Sequence, residues 1–153
     1  MYKKILLAVD DSPNSLRAVE RVAELQNYWN CKVIMIHSIK HPTNMALESV
    51  TFPSGGGLYY VSELELLYHA KVEGERLLSR MTEKFHEKNL NVETRIITEE
   101  HPNEYIERAV KEEHIDLVVI GTKGVHSKIR KIIIGSIAQK VVKHTPCDVL
   151  IIR

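Results

Sequence analysis

The sequence predicts a single α/β domain in which a parallel sheet lies between two layers of helices. Two observations support this class. Apolar runs of strand length alternate with helical apolar patterns along the chain, which is typical of parallel sheets covered on both faces. The 153 residues, 44% hydrophobic and 27% charged, suit one globular domain. The sequence has no internal repeat and no domain boundary, so we expect residues 1–153 to form one domain.

A β-α-β unit opens the chain. Residues 5–9 form a continuous apolar run that stops at two aspartates, as expected for a strand buried on both faces. Ser12 can cap the next helix, and Pro13 suits its first position because no backbone donor is needed there. The apolar stripe of this helix comprises Ala18, Val19, Val22, Ala23 and Leu25. Residues 33–36 are predicted as the second strand, and residues 40–60, rich in proline and glycine, as a long mobile connection.

A second helix and a third strand come next. Residues 61–88 have helical periodicity. The apolar side of this helix comprises Leu64, Leu67, Val72, Leu77, Leu78 and Met81. Residues 92–98 alternate and are rich in β-branched side chains, which predicts a strand at the edge of the sheet. Pro102 begins a third helix, whose apolar residues are Ile106, Ala109 and Val110.

The remaining residues predict two strands joined by a short helix. Residues 117–120 are apolar throughout and end at Gly121, as expected for a buried strand. A loop with glycines follows, then a helix over 136–143 and a last strand over 149–152. Right-handed crossovers limit such a chain to a few doubly wound strand orders. Five strands alternating with four helices therefore predict a three-layer α/β/α sandwich.

Charge and cysteine content exclude several functional classes. The formal charge of +1 argues against a protein whose main role is to coat nucleic acid or an anionic membrane. No apolar run approaches the ~20 residues that a membrane helix needs. Cys31 and Cys147 are far apart, so neither a disulfide framework nor a cysteine zinc site is expected. We therefore expect a cytoplasmic protein without nucleic-acid or membrane partners.

The candidate binding residues lie directly after the predicted strands. In open parallel sheets, ligands bind beyond the carboxyl ends of the strands, where the strand order reverses. Asp10 ends the first strand and is predicted to accept hydrogen bonds from a ribose. His37 and Ser38 end the second strand, and we interpret His37 as a hydrogen-bonded structural residue. The segment 121–136 follows the fourth strand and has the clearest chemistry.

This segment has features of an anion site. Gly121 and Gly124 allow a close approach of the backbone to a ligand. Gly135 and Ser136 begin a helix whose first amides lack partners and attract phosphate. Lysines and an arginine lie within the same segment. It is neither a P-loop nor a dinucleotide fingerprint, and from spacing alone phosphate binding and an ordinary turn are both open.

No residue set predicts a dedicated enzyme. The sequence offers no Ser-His-Asp arrangement, no carboxylate pair aimed at a defined bond and no cluster of metal ligands. Its histidines are scattered, so no metal site of the protein's own is expected. Both cysteines are interpreted as unreactive thiols because neither has an identifiable base nearby. Slow turnover of a bound nucleotide is left open.

Four stretches resemble the universal stress protein (UspA) family: residues 1–12, 121–124, 135–136 and 144–153. The most specific is the glycine motif of the family's ATP-binding branch, G-x2-G-x9-G-[S/T]. The resemblance implies strand order 3-2-1-4-5 in an adenine nucleotide alpha hydrolase-like fold. It also implies a dimeric stress-response regulator that binds ATP, with or without Mg, between the first and fourth strands. The implied homodimer pairs the last strands, Val149 to Ile152.

The resemblance also implies a set of nucleotide-binding residues. Those expected around adenine and ribose are Ala8, Val9, Asp10 and Ser38. Those expected along ribose and phosphates are Ile120, Gly121, Lys123 and Gly124, and those at the helix start are Gly135, Ser136, Ile137 and Ala138. Ten residues separate Gly124 from Gly135, where the family motif has nine. A nucleotide-free interaction module and a slow ATPase therefore stay open as alternatives, as does AMP in place of ATP.

Overall fold

The computed structural model describes residues 1–39, 63–122 and 134–153. In these ranges the chain forms five strands and four helices, close to the predicted bounds. They are β1 (Lys4–Ala8), α1 (Pro13–Trp29), β2 (Lys32–Ser38), α2 (Glu63–His86), β3 (Glu93–Ile97), α3 (Pro102–Glu113), β4 (Leu117–Gly121), α4 (Ser136–His144) and β5 (Asp148–Ile152). The predicted connection over 40–60 and most of the glycine loop lie outside the described residues.

The five strands are parallel and follow the order β3-β2-β1-β4-β5. This confirms the predicted order and the edge position of the third strand. The chain runs outward from β1 to β3 and then returns to place β4 on the other side of β1. Ala8 consequently pairs with Ile36 on one side and with Ile120 on the other. The reversal of strand order therefore falls between β1 and β4.

Helices cover both faces of the sheet, as predicted. Successive side chains of a strand point to opposite faces, so Ile5 and Leu7 pack towards α1 and α2, whereas Leu6 packs towards α3 and α4. The residues of β1 and β4 are buried on both faces because the two strands lie inside the sheet. None of the helices in the described ranges is long and apolar enough to cross a membrane.

Helix α1 begins where the sequence predicts. Ser12 is its N-cap, and the hydroxyl of Ser12 accepts a hydrogen bond from the Ser15 amide at 3.2 Å. Pro13 occupies the first turn, and the helix ends at Asn30, whose φ of 51° is left-handed. The cap fixes the start of α1 directly beside the carboxyl end of β1, where the candidate site lies.

Helix α2 is buried over only part of its length. From Gly74 onwards it packs on the sheet, and Leu77, Leu78, Met81 and Phe85 are buried. Leu64, which was predicted on the core side, is 76% exposed, so that prediction is wrong. A helix of 24 residues is about 36 Å long. A five-residue strand spans about 17 Å, so the first turns of α2 extend beyond the sheet.

Candidate functional site

The carboxyl ends of β1 and β4 emerge side by side. Their last paired residues are Ala8 and Ile120. Beyond this pair, the Val9 amide donates to the Ile36 carbonyl at 2.9 Å, and the Thr122 amide donates to the carbonyl of Ile152, the last residue of β5, at 2.7 Å. Both chain segments are thus held in the plane of the sheet at the point where strand order reverses. Open α/β sheets bind ligands at this point.

The carboxylate of Asp10 is fixed by the first turn of α1. The Ser15 hydroxyl donates to Asp10 Oδ1 at 2.6 Å and accepts from the Asp10 amide at 2.9 Å. The Ser12 amide donates to the same carboxylate oxygen at 3.1 Å. Asp10 is nevertheless exposed. It therefore presents an oriented hydrogen-bond acceptor at the carboxyl edge of the sheet, beside the end of β1.

The neighbouring Asp11 has a different role. Its carboxylate pairs with the Arg80 guanidinium of α2 at 3.0 Å, and both side chains are largely exposed. Such surface pairs contribute little to stability. The two adjacent aspartates therefore differ in their contacts, since Asp10 bonds to the start of α1 and Asp11 to α2.

Gly121 lies against the first turn of α1. A Cβ at this position would be 3.2 Å from the carbonyl carbon and the Cβ of Asn14 and 3.3 Å from the Ser15 amide nitrogen. The sequence suggested that Gly121 leaves room for a ligand. The structure shows that the missing side chain also leaves room for α1, which approaches the end of β4 closely. The contact of Gly121 with a ligand stays a prediction.

Gly121→Ala is expected to lower the free energy of unfolding by about 1–2 kcal/mol, as for other overpacked sites. The crowding atoms belong largely to the backbone of Asn14 and Ser15, so they cannot move aside as a flexible side chain could. Urea unfolding of the two proteins measures the difference. An unchanged unfolding midpoint would show that α1 does not pack this closely in solution.

Asn14 and Thr122 form a second contact between α1 and β4 that the sequence did not reveal. The Asn14 side-chain amide donates to the Thr122 carbonyl at 2.6 Å and to its hydroxyl at 2.7 Å. The Arg17 guanidinium donates to the remaining Asn14 oxygen. Asn14 and Thr122 are both buried. This contact fixes the last described residue before the segment 123–133.

The end of β2 lies at the same edge of the sheet. His37 Nδ1 is 2.9 Å from the Val9 carbonyl oxygen, which supports the interpretation of His37 as a hydrogen-bonded structural residue. A proton on Nδ1 is needed for this bond, because the carbonyl can only accept. Ser38 is half-buried and pairs with Ile97 of β3. Ser38 therefore lies one strand away from Asp10.

The start of α4 faces the same edge. Because α4 connects two parallel strands, β4 and β5, it begins at the carboxyl edge of the sheet. Its N-cap is Gly135, which provides no side-chain hydrogen bond to the helix. Ser136 and Ile137 are exposed, whereas Ala138 is buried. The first amides of a helix have no partner within the helix and carry positive partial charge.

Ten of the twelve predicted site residues lie in the described part of the chain. They occupy the ends of β1, β2 and β4 and the start of α4: Ala8, Val9, Asp10, Ser38, Ile120, Gly121, Gly135, Ser136, Ile137 and Ala138. The predictions for Lys123 and Gly124 lie outside the described residues, as does all but the last residue of the ten-residue spacing. The residues that the sequence missed are Asn14, Ser15 and Thr122.

Neither cysteine belongs to the candidate site. Cys31 is buried before β2 and Cys147 is half-buried before β5. Burial raises the pKa of both thiols, which lowers their thiolate fraction and hence their reactivity. Across residues 1–39, 63–122 and 134–153, no three His, Cys, Asp or Glu side chains are grouped to hold a metal ion.

Comparison with known proteins identifies the family. The family model described as "Universal stress protein family" matches residues 1–153. The chain is 30% identical to the universal stress protein YxiE of Bacillus subtilis, and the match covers 100% of both chains. A family model over the full length and a relative of this similarity together indicate common descent.

Solved structures agree with this result at the level of the fold. The chain resembles UspA of Lactobacillus plantarum with a TM-score of 0.77 at 23% identity, covering 99% and 98% of the two chains. It also resembles a universal stress protein of Archaeoglobus fulgidus in complex with dAMP (TM-score 0.67, 21% identity, 99% and 98% covered). A universal stress protein family protein of Arabidopsis thaliana with AMP bound is similar too, with a TM-score of 0.64 at 24% identity, covering 98% of this chain and 90% of that chain.

These neighbours have the adenine nucleotide alpha hydrolase-like fold that the resemblance implied. At such identities the similarity supports the fold alone, and the family assignment depends on the full-length family match and on YxiE. The chain belongs to the universal stress protein family.

Proposed function

We propose that this protein binds an adenine nucleotide at the carboxyl ends of β1 and β4, and that ATP is its main ligand. One observation carries the proposal. The oriented Asp10 carboxylate and the uncapped start of α4 lie at the same edge of the sheet, where strand order reverses. An acceptor for hydroxyl groups and a set of donors for phosphate are therefore available to one ligand. The relatives solved with AMP or dAMP bound support this ligand class.

The ligand groups can be matched to residues by their chemistry. Asp10 accepts hydrogen bonds from the ribose hydroxyls, because an ionised carboxylate only accepts and a hydroxyl can donate. The first amides of α4 and the Ser136 hydroxyl donate to phosphate oxygens, and the helix dipole favours their negative charge. The adenine and ribose are proposed to lie beside Ala8, Val9, Asp10 and Ser38. The ribose and phosphates are proposed to pass Ile120, Gly121, Lys123 and Gly124, and the phosphates to end at Gly135, Ser136, Ile137 and Ala138. Any Mg arrives with the nucleotide.

We further propose a regulatory role in the cytoplasm rather than dedicated catalysis. Asp10 is held at the ribose end of the proposed ligand by Ser15 and Ser12. In this proposal Asp10 contacts the ribose and not the phosphates, so it is not assigned to activate a water molecule there. Bound nucleotide stabilises the folded state by mass action. ATP would therefore lengthen the lifetime of the folded protein during the stress response and change the surface that it presents to partners.

The proposed assembly is a homodimer through β5. This strand is at the edge of the sheet, and an edge strand has unpaired N–H and C=O groups on its outer side. Val149, Leu150, Ile151 and Ile152 are all only half-buried. Pairing with β5 of a second copy would cover these apolar side chains. Sedimentation equilibrium tests this, and a monomer mass at micromolar concentration would contradict it.

Asp10→Ala is expected to weaken ATP binding about tenfold, the usual effect of losing a hydrogen bond to a charged group. Asp11→Ala is the matched control, because it removes the same charge at the next position without touching the strand ends. Its affinity should stay within about twofold, since surface charges act weakly. Titration calorimetry of both variants measures the difference. Equal losses would show that only the charge matters and that Asp10 does not contact the ribose.

Binding by the wild-type protein is measured with ATP, ADP and AMP, each with and without Mg. Mass spectrometry of the small molecules released by denaturing freshly purified protein identifies any nucleotide that co-purifies. Absence of binding at millimolar concentrations, together with a dimer in sedimentation, would favour the nucleotide-free interaction module. The ten-residue spacing between Gly124 and Gly135 is the observation in favour of that alternative.

A further inference from the structure

Buried polar side chains gather at the first turn of α1. In the described ranges, the buried polar residues are Asn14, Ser15, Gln26 and Thr122. Three of these four lie where α1 meets the ends of β1 and β4, and Gln26 lies near the other end of α1. Burying a polar group is unfavourable unless it is hydrogen-bonded. All three are bonded: Asn14 bonds to Thr122, and Ser15 bonds to Asp10, directly after β1.

We propose that Asn14 and Ser15 are positioning residues that hold the two walls of the nucleotide site. Ser15 orients the Asp10 carboxylate on the β1 side, and Asn14 fixes the backbone of Thr122 on the β4 side. The inference rests on the proposed nucleotide-binding function and adds to it the two side chains that shape the site without touching the ligand.

The Ser15 hydroxyl makes two bonds to one residue. It donates to Asp10 Oδ1 and accepts from the Asp10 amide, so it fixes the carboxylate relative to its own backbone. The Ser12 amide bonds to the same oxygen. Among the described residues, the bonds to the Asp10 carboxylate all end on Oδ1, which leaves Oδ2 to accept from a ribose. Preorganisation of this kind strengthens binding by reducing the entropy lost when the ligand arrives.

Helix capping accounts for only one of the three contacts of the Ser15 hydroxyl. The capping bond of α1 is the bond from the Ser15 amide to the Ser12 hydroxyl. The Ser15 hydroxyl takes part in this cap only through a longer bond, which it accepts from the Ser12 hydroxyl at 3.4 Å. Its two bonds to Asp10 therefore serve the strand end.

Asn14 acts in the same way on the other wall. Its amide bonds to both the carbonyl and the hydroxyl of Thr122, and its oxygen is held by Arg17. Gly121 allows α1 to come close enough for these bonds. Because Asn14 and Ser15 are consecutive, one turn of α1 bonds to the chain at the ends of both β1 and β4.

The test uses Ser15→Ala, Asn14→Asp and a matched control, Gln26→Leu. Asn14→Asp replaces the donating amide by an oxygen that repels the Thr122 carbonyl. Gln26 is buried on the same helix, and its amide donates to the carbonyls of Cys31 and Asn91. Gln26→Leu thus removes a comparable pair of bonds away from the site. Urea unfolding first establishes conditions in which every variant is folded.

Under these conditions ATP affinity is measured by calorimetry. Ser15→Ala and Asn14→Asp are each expected to lose about tenfold, within the usual coupling between residues in one network. Gln26→Leu should lower the melting temperature and leave the affinity unchanged. In the Asp10→Ala background, Ser15→Ala should have less than about a twofold further effect, because it acts through Asp10. Equal losses with and without Asp10, or unchanged affinity, would overturn the proposal.

Amide hydrogen exchange separates this proposal from the nucleotide-binding function itself. If the wild-type protein binds no nucleotide, the proposed function is wrong, and exchange then decides whether the two residues position the strand ends. We expect the Asp10 amide to exchange about tenfold faster in Ser15→Ala, and the Thr122 amide likewise in Asn14→Asp, since local opening controls exchange. Unchanged protection at both amides would overturn the positioning role.

Discussion

Replacing Gly135 by aspartate is expected to raise the melting temperature and to weaken ATP binding by about 100-fold. Gly135 is the N-cap of α4, with φ −59° and ψ 153°, a conformation that any residue adopts. Aspartate is a preferred N-cap, and its side chain would bond to the first amides of α4 with a gain over glycine of a few tenths of a kcal/mol. The helix therefore becomes more stable.

The same carboxylate would oppose the phosphates. Two unit charges 4 Å apart repel by about 4 kcal/mol near a protein surface. This corresponds to nearly 1,000-fold in affinity, and screening by salt and Mg reduces it to about 100-fold. Stability and affinity should thus change in opposite directions, which a general loss of folding cannot produce.

Gly135→Asn and adenosine provide the controls. Asparagine caps the helix as well as aspartate does but carries no charge, so the melting temperature should rise while the affinity for ATP falls less. Adenosine has no phosphate, and its affinity should be the same for all three proteins. Unchanged binding of ATP by Gly135→Asp would show that the start of α4 does not hold the phosphates.

Phe85→Ala is expected to lower the free energy of unfolding by about 3–5 kcal/mol, the range for large buried aromatic side chains. Phe85 is fully buried in the core between the sheet and the α1 and α2 layer. Its removal leaves a cavity that the surrounding side chains fill only partly. Urea unfolding monitored by circular dichroism measures the loss.

Leu64→Ala on the same helix is the control for Phe85→Ala. Leu64 is largely exposed, so its removal should change stability by less than about 0.5 kcal/mol. A loss similar to that of Phe85→Ala would show that the first turns of α2 are packed in solution. A small effect of Phe85→Ala would show that the C-terminal half of α2 is not packed against the sheet in solution.

The sequence predicted the elements better than their packing. Residues 5–9 and 117–120 are apolar without interruption because both faces of these strands are covered, and this pattern is visible in one sequence. Right-handed crossovers alone leave several strand orders, and the family resemblance supplied the correct one. Leu64 was misassigned because helical periodicity does not reveal where a helix passes beyond the sheet that it covers.

The site was predictable only in part. Asp10 and Gly121 follow apolar runs, so the rule that ligands bind at strand ends identifies them. Asn14 and Ser15 look like ordinary residues of a first helical turn, where polar side chains are common. Their burial depends on contact between α1 and Thr122, which is 108 positions away from Asn14 in the chain. The sequence did contain one signal for these contacts. Two polar residues lie in the helical turn that follows the capping serine, and a glycine ends β4.

The central position of β1 sets the order in which the protein can mature during translation. β1 and β2 leave the ribosome before β4, the other neighbour of β1, which begins at Leu117. Until β4 has been made, one side of β1 has no partner strand, and the candidate site between the ends of β1 and β4 is incomplete. Domains of this size fold as units once their strands are complete. A ligand held between β1 and β4 could therefore stabilise the chain only after β4 has been made, and could not guide the earlier pairing of β1 with β2.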